Sequence, residues 1–244
     1  LRGPGGCPWD AQQTHESIRK NFIEETYEAI EAIDAADPVL LQEELGDVLL
    51  QVIYHAAMEE EKGSFSIDDV CDGICKKLVI RHPHIFGDVK VDTAEEVLSN
   101  WEMIKQQEKG QKTAAETLES VPKVLPALMR AEKIQKRASR AGMDYDSVAD
   151  AFRDLRSEVD ELEDAVKNGT PEQRGLELGD LLFSAVNVSR FIGADAEKSL
   201  GLSCEKFVKR FAQVEKLARQ RDIDMKTAGI QKLDEIWQEI KKSY

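Results

Sequence analysis

The sequence predicts an all-α protein made of two tandem, duplicated helical-bundle domains. Three observations lead there. Apolar residues recur with the 3.6-residue helical period along nearly the whole chain. Only seven prolines interrupt its 244 residues. A set of acidic, basic and tryptophan positions in the first half returns in the same order in the second.

The elements follow in chain order. A first helix is expected over 14–35, with Ile18, Phe22, Tyr27, Ile30 and Ile33 as its apolar stripe. Asp37-Pro38 restarts the chain as a second helix, whose core stripe is Leu41, Leu45, Val48, Leu49, Val52 and Ile53. A third helix begins near Ser66 and ends before His82-Pro83, and a fourth starts at Thr93, where Thr93 and Glu96 form a capping-box pattern, and runs to about 109. Residues 111–122 are polar with few large apolar groups and read as a linker between domains at 1–110 and 123–244. Further helices are expected over 125–139, 146–167, from the Thr170-Pro171 cap to 191, over 195–220 and over 229–241. Helices this amphipathic must pack on one another, so bundles are expected.

Composition narrows the function. Hydrophobic residues make up 41% and charged residues 33%, with a formal net charge of -14. A nucleic-acid binder would show a basic face, so no nucleic-acid partner is expected. An anionic substrate would need cations, from a metal or from locally placed Lys and Arg. No apolar run approaches a membrane span and the start carries no signal-peptide pattern, so no membrane partner is expected. Cys7, Cys71, Cys75 and Cys204 follow no zinc or disulfide spacing. They are expected to be small buried hydrophobes in a reducing cytoplasm.

The repeat carries the chemistry. Glu25 and Glu28, then Glu44 and Asp47, return 133 residues later as Glu158, Glu161, Glu177 and Asp180. Lys77 and Arg81 match Lys206 and Arg210, and Trp101 with Lys105 matches Trp237 with Lys241. A period this long means duplicated domains, since solenoid repeats are far shorter.

Residues three apart share a helix face, so each Glu-x-x-Glu and Glu-x-x-Asp projects two carboxylates sideways. The turns at Asp37-Pro38 and Thr170-Pro171 fold each helix pair antiparallel and set the pairs face to face. Two like charges 4 Å apart repel by about 4 kcal/mol at an effective dielectric near 20. Four together call for a cation, and oxygen-only ligands suit Mg²⁺, with Mn²⁺ as a substitute. A single such motif among 47 acidic residues is ordinary solvated surface. Here the acids adjoin the apolar stripe, where unpaired charge is costly. Gly46 and Gly179 within helices add to this reading if another helix or a ligand comes close there. A di-iron bundle would need Glu-x-x-His pairs, and none of the four histidines has Glu three residues before it. Lys77 with Arg81, and Lys206 with Arg210, are one turn apart and suit phosphate oxygens, against the reading of ordinary surface charge. Trp101 and Trp237 read as core or interface anchors ahead of base-stacking groups, and Trp9 as structural.

At these residues the chain resembles the MazG family of nucleoside triphosphate pyrophosphohydrolases in its two-domain form. The resemblance rests on Gly6-Cys7-Pro8-Trp9-Asp10, Glu24-Glu25-x-x-Glu28 with Glu44-x-x-Asp47, Arg81-His82-Pro83-His84, Leu125-Pro126-Ala127-Leu128 and Lys133-Ile134-Gln135-Lys136-Arg137. It implies MazG-like all-α bundles that form a homodimer, Mg²⁺ at the acidic quartets, and hydrolysis of NTPs, and of dNTPs, between the α and β phosphorus atoms. Broad base tolerance and a nucleotide-pool housekeeping role are also implied. Glu24 is a candidate general base beside the quartet. The second repeat departs from the pattern by placing Ser157 where the first has Glu24. Two other readings have their own tests. A nucleotide sensor would bind without releasing pyrophosphate, and a helical interaction module would not be stabilised by Mg²⁺.

Overall fold

The computed structural model describes residues 1–242 and divides the chain into two compact units, 1–109 and 110–244. Among the described residues every regular element is a helix. Ser243 and Tyr244 lie outside the described residues.

In the first unit, α1 (Pro8–Ala11) leads into α2 (Arg19–Asp34), α3 (Pro38–Glu61), α4 (Ile67–Arg81), α5 (Pro83–Phe86) and α6 (Ala94–Glu108). The α2–α3 hairpin is its principal contact. The chain leaves α2 through Ala36 in the left-handed region (φ 52°), with Ala36 N–H donating to Ile33 O and Asp37 N–H to Ala32 O. This is a Schellman closure with alanine where glycine is usual. Asp37 then caps α3 by accepting from the backbone of Val39 and Leu40. Thr93 accepts from Glu96 N as the capping pattern predicts, but the Glu96 carboxylate accepts from Asp92 N rather than from Thr93 N.

The segment before α2 is fastened to the far half of α3. Arg2 forks onto Glu61, Tyr54 bonds Asp10, and His15 bridges His55 (Nδ1 to Nδ1, 2.6 Å) and Glu59 (2.6 Å). Burial first, then the bond to Asp10, pushes the Tyr54 phenol up to about 12.

The second unit comprises α7 (Ala114–Glu119), α8 (Ala127–Arg140), α9 (Val148–Asn168), α10 (Pro171–Phe191), α11 (Ala196–Gln220) and α12 (Ile230–Lys242). Its α9–α10 hairpin corresponds to α2–α3, and Thr170 with Gln173 forms a reciprocal capping box at the start of α10. At Gly169 an added Cβ would sit 2.8 Å from Ala165 O, so only glycine closes this turn. The stretch 111–122 is not a free linker. Thr113 and Glu116 form a capping box that opens α7, α7 packs on α8, and Val121 is buried. Short helices of four to six residues such as α1, α5 and α7 lack the periodic run that reveals longer ones.

The core follows the predicted stripes only in part, with Ile18 buried and Phe22, Leu41, Val48 and Val52 half-buried. Ile18, Ala29, Ala32, Ala56 and Met58 are buried in the first unit, while Tyr27, Ile30, Ile33, Leu45, Leu49 and Ile53 are exposed. The hairpin closes along small residues and leaves the large ones facing outward. The second unit repeats this, with Leu178, Leu182, Phe207 and Val208 exposed. Cys71, Cys75 and Cys204 are exposed and Cys7 half-buried, so the expected burial of the thiols does not hold. Trp9, expected to be structural, is 62% exposed. No helix among the described residues is long and apolar enough to cross a membrane.

Candidate functional site

Each hairpin holds a carboxylate cluster. In the first unit, Glu25 and Glu28 are one turn apart on α2 and Glu44 faces them from α3. One oxygen from each lies within 4.8 Å of the others. The second unit brings Glu158, Glu161 and Glu177 together in the same way. The two helices of each hairpin must be antiparallel and in register for this, which the tight turns at Asp37 and Thr170 enforce.

The fourth acid of each quartet stands outside the triad. Asp47 is half-buried and Asp180 exposed, and both still act on the cluster through their charge. Glu44 is 9% exposed, Glu25 half-buried and Glu28 exposed. Burial first, then the charges of Glu28 and Asp47, raises the Glu44 carboxyl above its ordinary range. The same causes in the same order raise Glu25, helped by its hydrogen bond with Glu28. Glu158 is raised by burial, then by Glu161, Asp154, Asp180 and Glu177. A centre that holds protons against its ordinary tendency for want of positive charge is one that a divalent cation relieves. The donors are all carboxylate oxygens, which fits Mg²⁺.

Glu24 forms an ion pair with Lys20 (2.9 Å) on the exposed side of α2. Ser157 takes a different role, donating from Oγ to Glu161 Oε1 at 3.1 Å. An added Cβ at Gly46 or Gly179 would meet no atom of the described residues within 4 Å, so within its own unit each glycine borders open space and not a closely packed helix.

The basic and aromatic residues make different contacts in the two units. Arg81 is nearly covered and pairs with Glu108 through Nε (2.7 Å) and Nη2 (2.6 Å). Its guanidinium lies 5.5 Å from the Trp101 ring centre and Lys105 Nζ lies 4.6 Å from it. Trp101 is therefore a ring flanked by two cations. Lys77 stands exposed on α4. In the second unit Trp237 packs on Phe207 (5.2 Å) and on a core of Val214, Ala218, Ile236 and Ile240. Arg210 is half-buried, and Lys206 and Lys241 are exposed.

Sequence reasoning missed Asp154. It accepts from Ser184 Oγ (2.6 Å) and from the Tyr145 hydroxyl, and its charge reaches Glu158. An acid four residues before Glu158, on the same face of the helix, was the available signal. It drew no notice because Asn21 stands at the matching place in the first repeat.

The comparisons with known proteins bear on the same residues. The model of the MazG nucleotide pyrophosphohydrolase domain matches twice, over 13–86 and 146–215, and each match includes one carboxylate cluster. The chain is 41% identical to a nucleoside triphosphate pyrophosphohydrolase of Escherichia coli (strain K12), across 99% of this chain and 93% of that protein. It is 44% identical to the nucleoside triphosphate pyrophosphohydrolase/pyrophosphatase MazG of Thermotoga maritima, across 99% and 91%. It is also 44% identical, over its full length, to half of the uncharacterized protein YabN of Bacillus subtilis (strain 168). Two family domains in one chain, each on its own hairpin of facing acids, place this protein in the MazG nucleotide pyrophosphohydrolase family.

Proposed function

We propose that this chain hydrolyses nucleoside triphosphates, and dNTPs with them, to a nucleoside monophosphate and pyrophosphate, with Mg²⁺ held at the carboxylate clusters. The observation that carries the reading is the doubled triad: two copies of one acid geometry, each with proton affinities raised by burial and by like charge.

Glu25, Glu28 and Glu44, with Asp47 beside them, would hold the cation in the first unit. Glu158, Glu161 and Glu177, with Asp180, would hold it in the second. Bound there, Mg²⁺ would neutralise phosphate charge and polarise the phosphoryl oxygens. The bond formed joins a water oxygen to the α-phosphorus, and the bond broken is that from the α-phosphorus to the bridging oxygen of the leaving pyrophosphate. In the first unit Glu24, next to Glu25 and with its charge oriented by Lys20, is the acceptor proposed for the water proton. In the second unit Ser157 orients Glu161 instead. Lys77, Arg81 and Lys105, and their counterparts Lys206, Arg210 and Lys241, supply the positive charge proposed to meet the phosphates. A broad base tolerance, a housekeeping role in the cytoplasm and a homodimeric state complete the proposal. The dimer is supported by the large apolar residues that each hairpin leaves uncovered, Leu49 at 56% exposure among them.

The test is the double variant Glu44→Gln, Glu177→Gln. Pyrophosphate release from Mg²⁺ and ATP should fall by at least roughly 100-fold. Turnover at the wild-type rate in that variant would remove both clusters from the chemistry. The two single variants assign turnover to each unit.

A further inference from the structure

The second unit contains a cavity of about 330 Å³ between α8, the loop after it and α10. Ile134, Ala138 and Phe183 give it apolar walls, and Tyr145 adds an aromatic face. Gln135 lines it and is only 5% exposed. Its Nε2 donates to the Phe183 carbonyl at 2.7 Å, which fixes the amide's orientation, and its Oε1 has no partner among the described residues. A buried acceptor left without a donor costs free energy, so an orphan on a cavity wall marks where a ligand's N–H belongs. Asn187 stands on the same wall. Its Oδ1 accepts from Arg190, which leaves its amide N–H groups to meet an acceptor.

Two of the cavity's lining residues, Tyr145 and Phe183, link it to the helices that carry the second carboxylate cluster. Tyr145 donates from its hydroxyl to Asp154, one helical turn from Glu158, and Phe183 lies three residues after Asp180 on α10. The matching wall in the first unit differs. Tyr54 stands where Asn187 does, and its hydroxyl is bonded to Asp10.

We propose that this cavity is a nucleobase subsite, which on the function proposed above holds the base of a substrate whose phosphates meet Glu158, Glu161 and Glu177. A cavity of this size, at the small end of ligand pockets, suits a one- or two-ring heterocycle. Every common base carries an N–H donor beside an acceptor on its pairing edge. One acceptor from Gln135 and one donor from Asn187 therefore bind each base without selecting among them, which is how a single pocket would tolerate several nucleotides.

The probes are adenosine, which has no phosphates, and purine riboside, which lacks the exocyclic amine. Titration calorimetry on the full chain should show one adenosine site per chain and roughly tenfold weaker binding of purine riboside. Ala138→Phe, which fills the cavity, and Gln135→Leu, which removes the acceptor, should both abolish adenosine binding. If one variant fails to fold by circular dichroism, the other decides. In the Glu44→Gln chain, where turnover is left to the second unit, adenosine should also raise the KM for ATP and leave kcat unchanged. Equal adenosine binding in the folded variants, or inhibition that lowers kcat at constant KM, would overturn the proposal. An absence of ATP hydrolysis in the wild type would instead defeat the proposed function, and the binding arms would still judge the cavity.

Discussion

Glu44 is the most enclosed acid of the first cluster, yet the groups that face it are carboxylates. Evolution for stability alone would have placed a neutral or paired side chain there. The crowding has a sign that can be measured. Without metal, Glu44→Gln should melt at a higher temperature than the wild type at pH 7, because one of the mutually repelling charges is gone. With Mg²⁺ the order should reverse, since the wild type gains ligand stabilisation and the variant does not. Thermal melts with and without the ion show both directions. Glu59 behaves oppositely. Its bonds to Lys62, then to His15 and Ser64, hold its carboxyl down at about 2, below the ordinary 4.5. A depressed folded value means that its contribution is complete above pH 4.5 and is lost as the pH falls toward 2. The melting temperature of the wild type should therefore fall more steeply across that window than that of Glu59→Gln. The acids of the clusters were legible in the sequence because spacing fixes a helix face. The Glu59–His15–His55 set was not, because it joins a loop to a helix forty residues away and leaves no periodic trace.

At the scale of elements, most long helices were legible to within about two residues, and the caps explain why; the exception is α2, expected from 14 but starting at Arg19, where no side chain caps the helix. Asp37, Ser66, Thr93, Thr170 and Asp195 each satisfy backbone N–H groups where the sequence places a short polar side chain before an apolar run. Asp37→Ala should cost about 1 kcal/mol and lower the melting temperature by roughly 2–4 °C. The turn that precedes it was not legible, because alanine at position 36 does not announce a left-handed residue. Ala36→Gly should stabilise the chain by about 0.5–1 kcal/mol through relief of that conformation, read in the same denaturation experiment. The stretch 111–122 looked like a linker for the related reason that α7 is too short to show a period, and its capping box was the only local signal.

At the scale of the whole molecule, duplication and fold class could be read from the repeated acids, because repetition over so long a period has few other causes. Which apolar faces would be covered could not. A helical stripe reports that a face is apolar, not whether its own chain or another buries it, and the stripes of α2 and α3 remain largely open here. The homodimer proposal assigns those faces to a second copy. Size exclusion with light scattering should give twice the chain mass at micromolar concentration, and Leu49→Lys should shift the population toward monomer. A monomeric wild type at that concentration would refute the dimer.

The central claim is hydrolysis at the α-phosphorus by carboxylate-held metal, and isotope placement tests it most directly. The chain, Mg²⁺ and ATP would be incubated in ¹⁸O-enriched water and the products identified by mass spectrometry. The account predicts AMP carrying the label and unlabelled pyrophosphate. Label in pyrophosphate, or ADP and phosphate as the products, would contradict it.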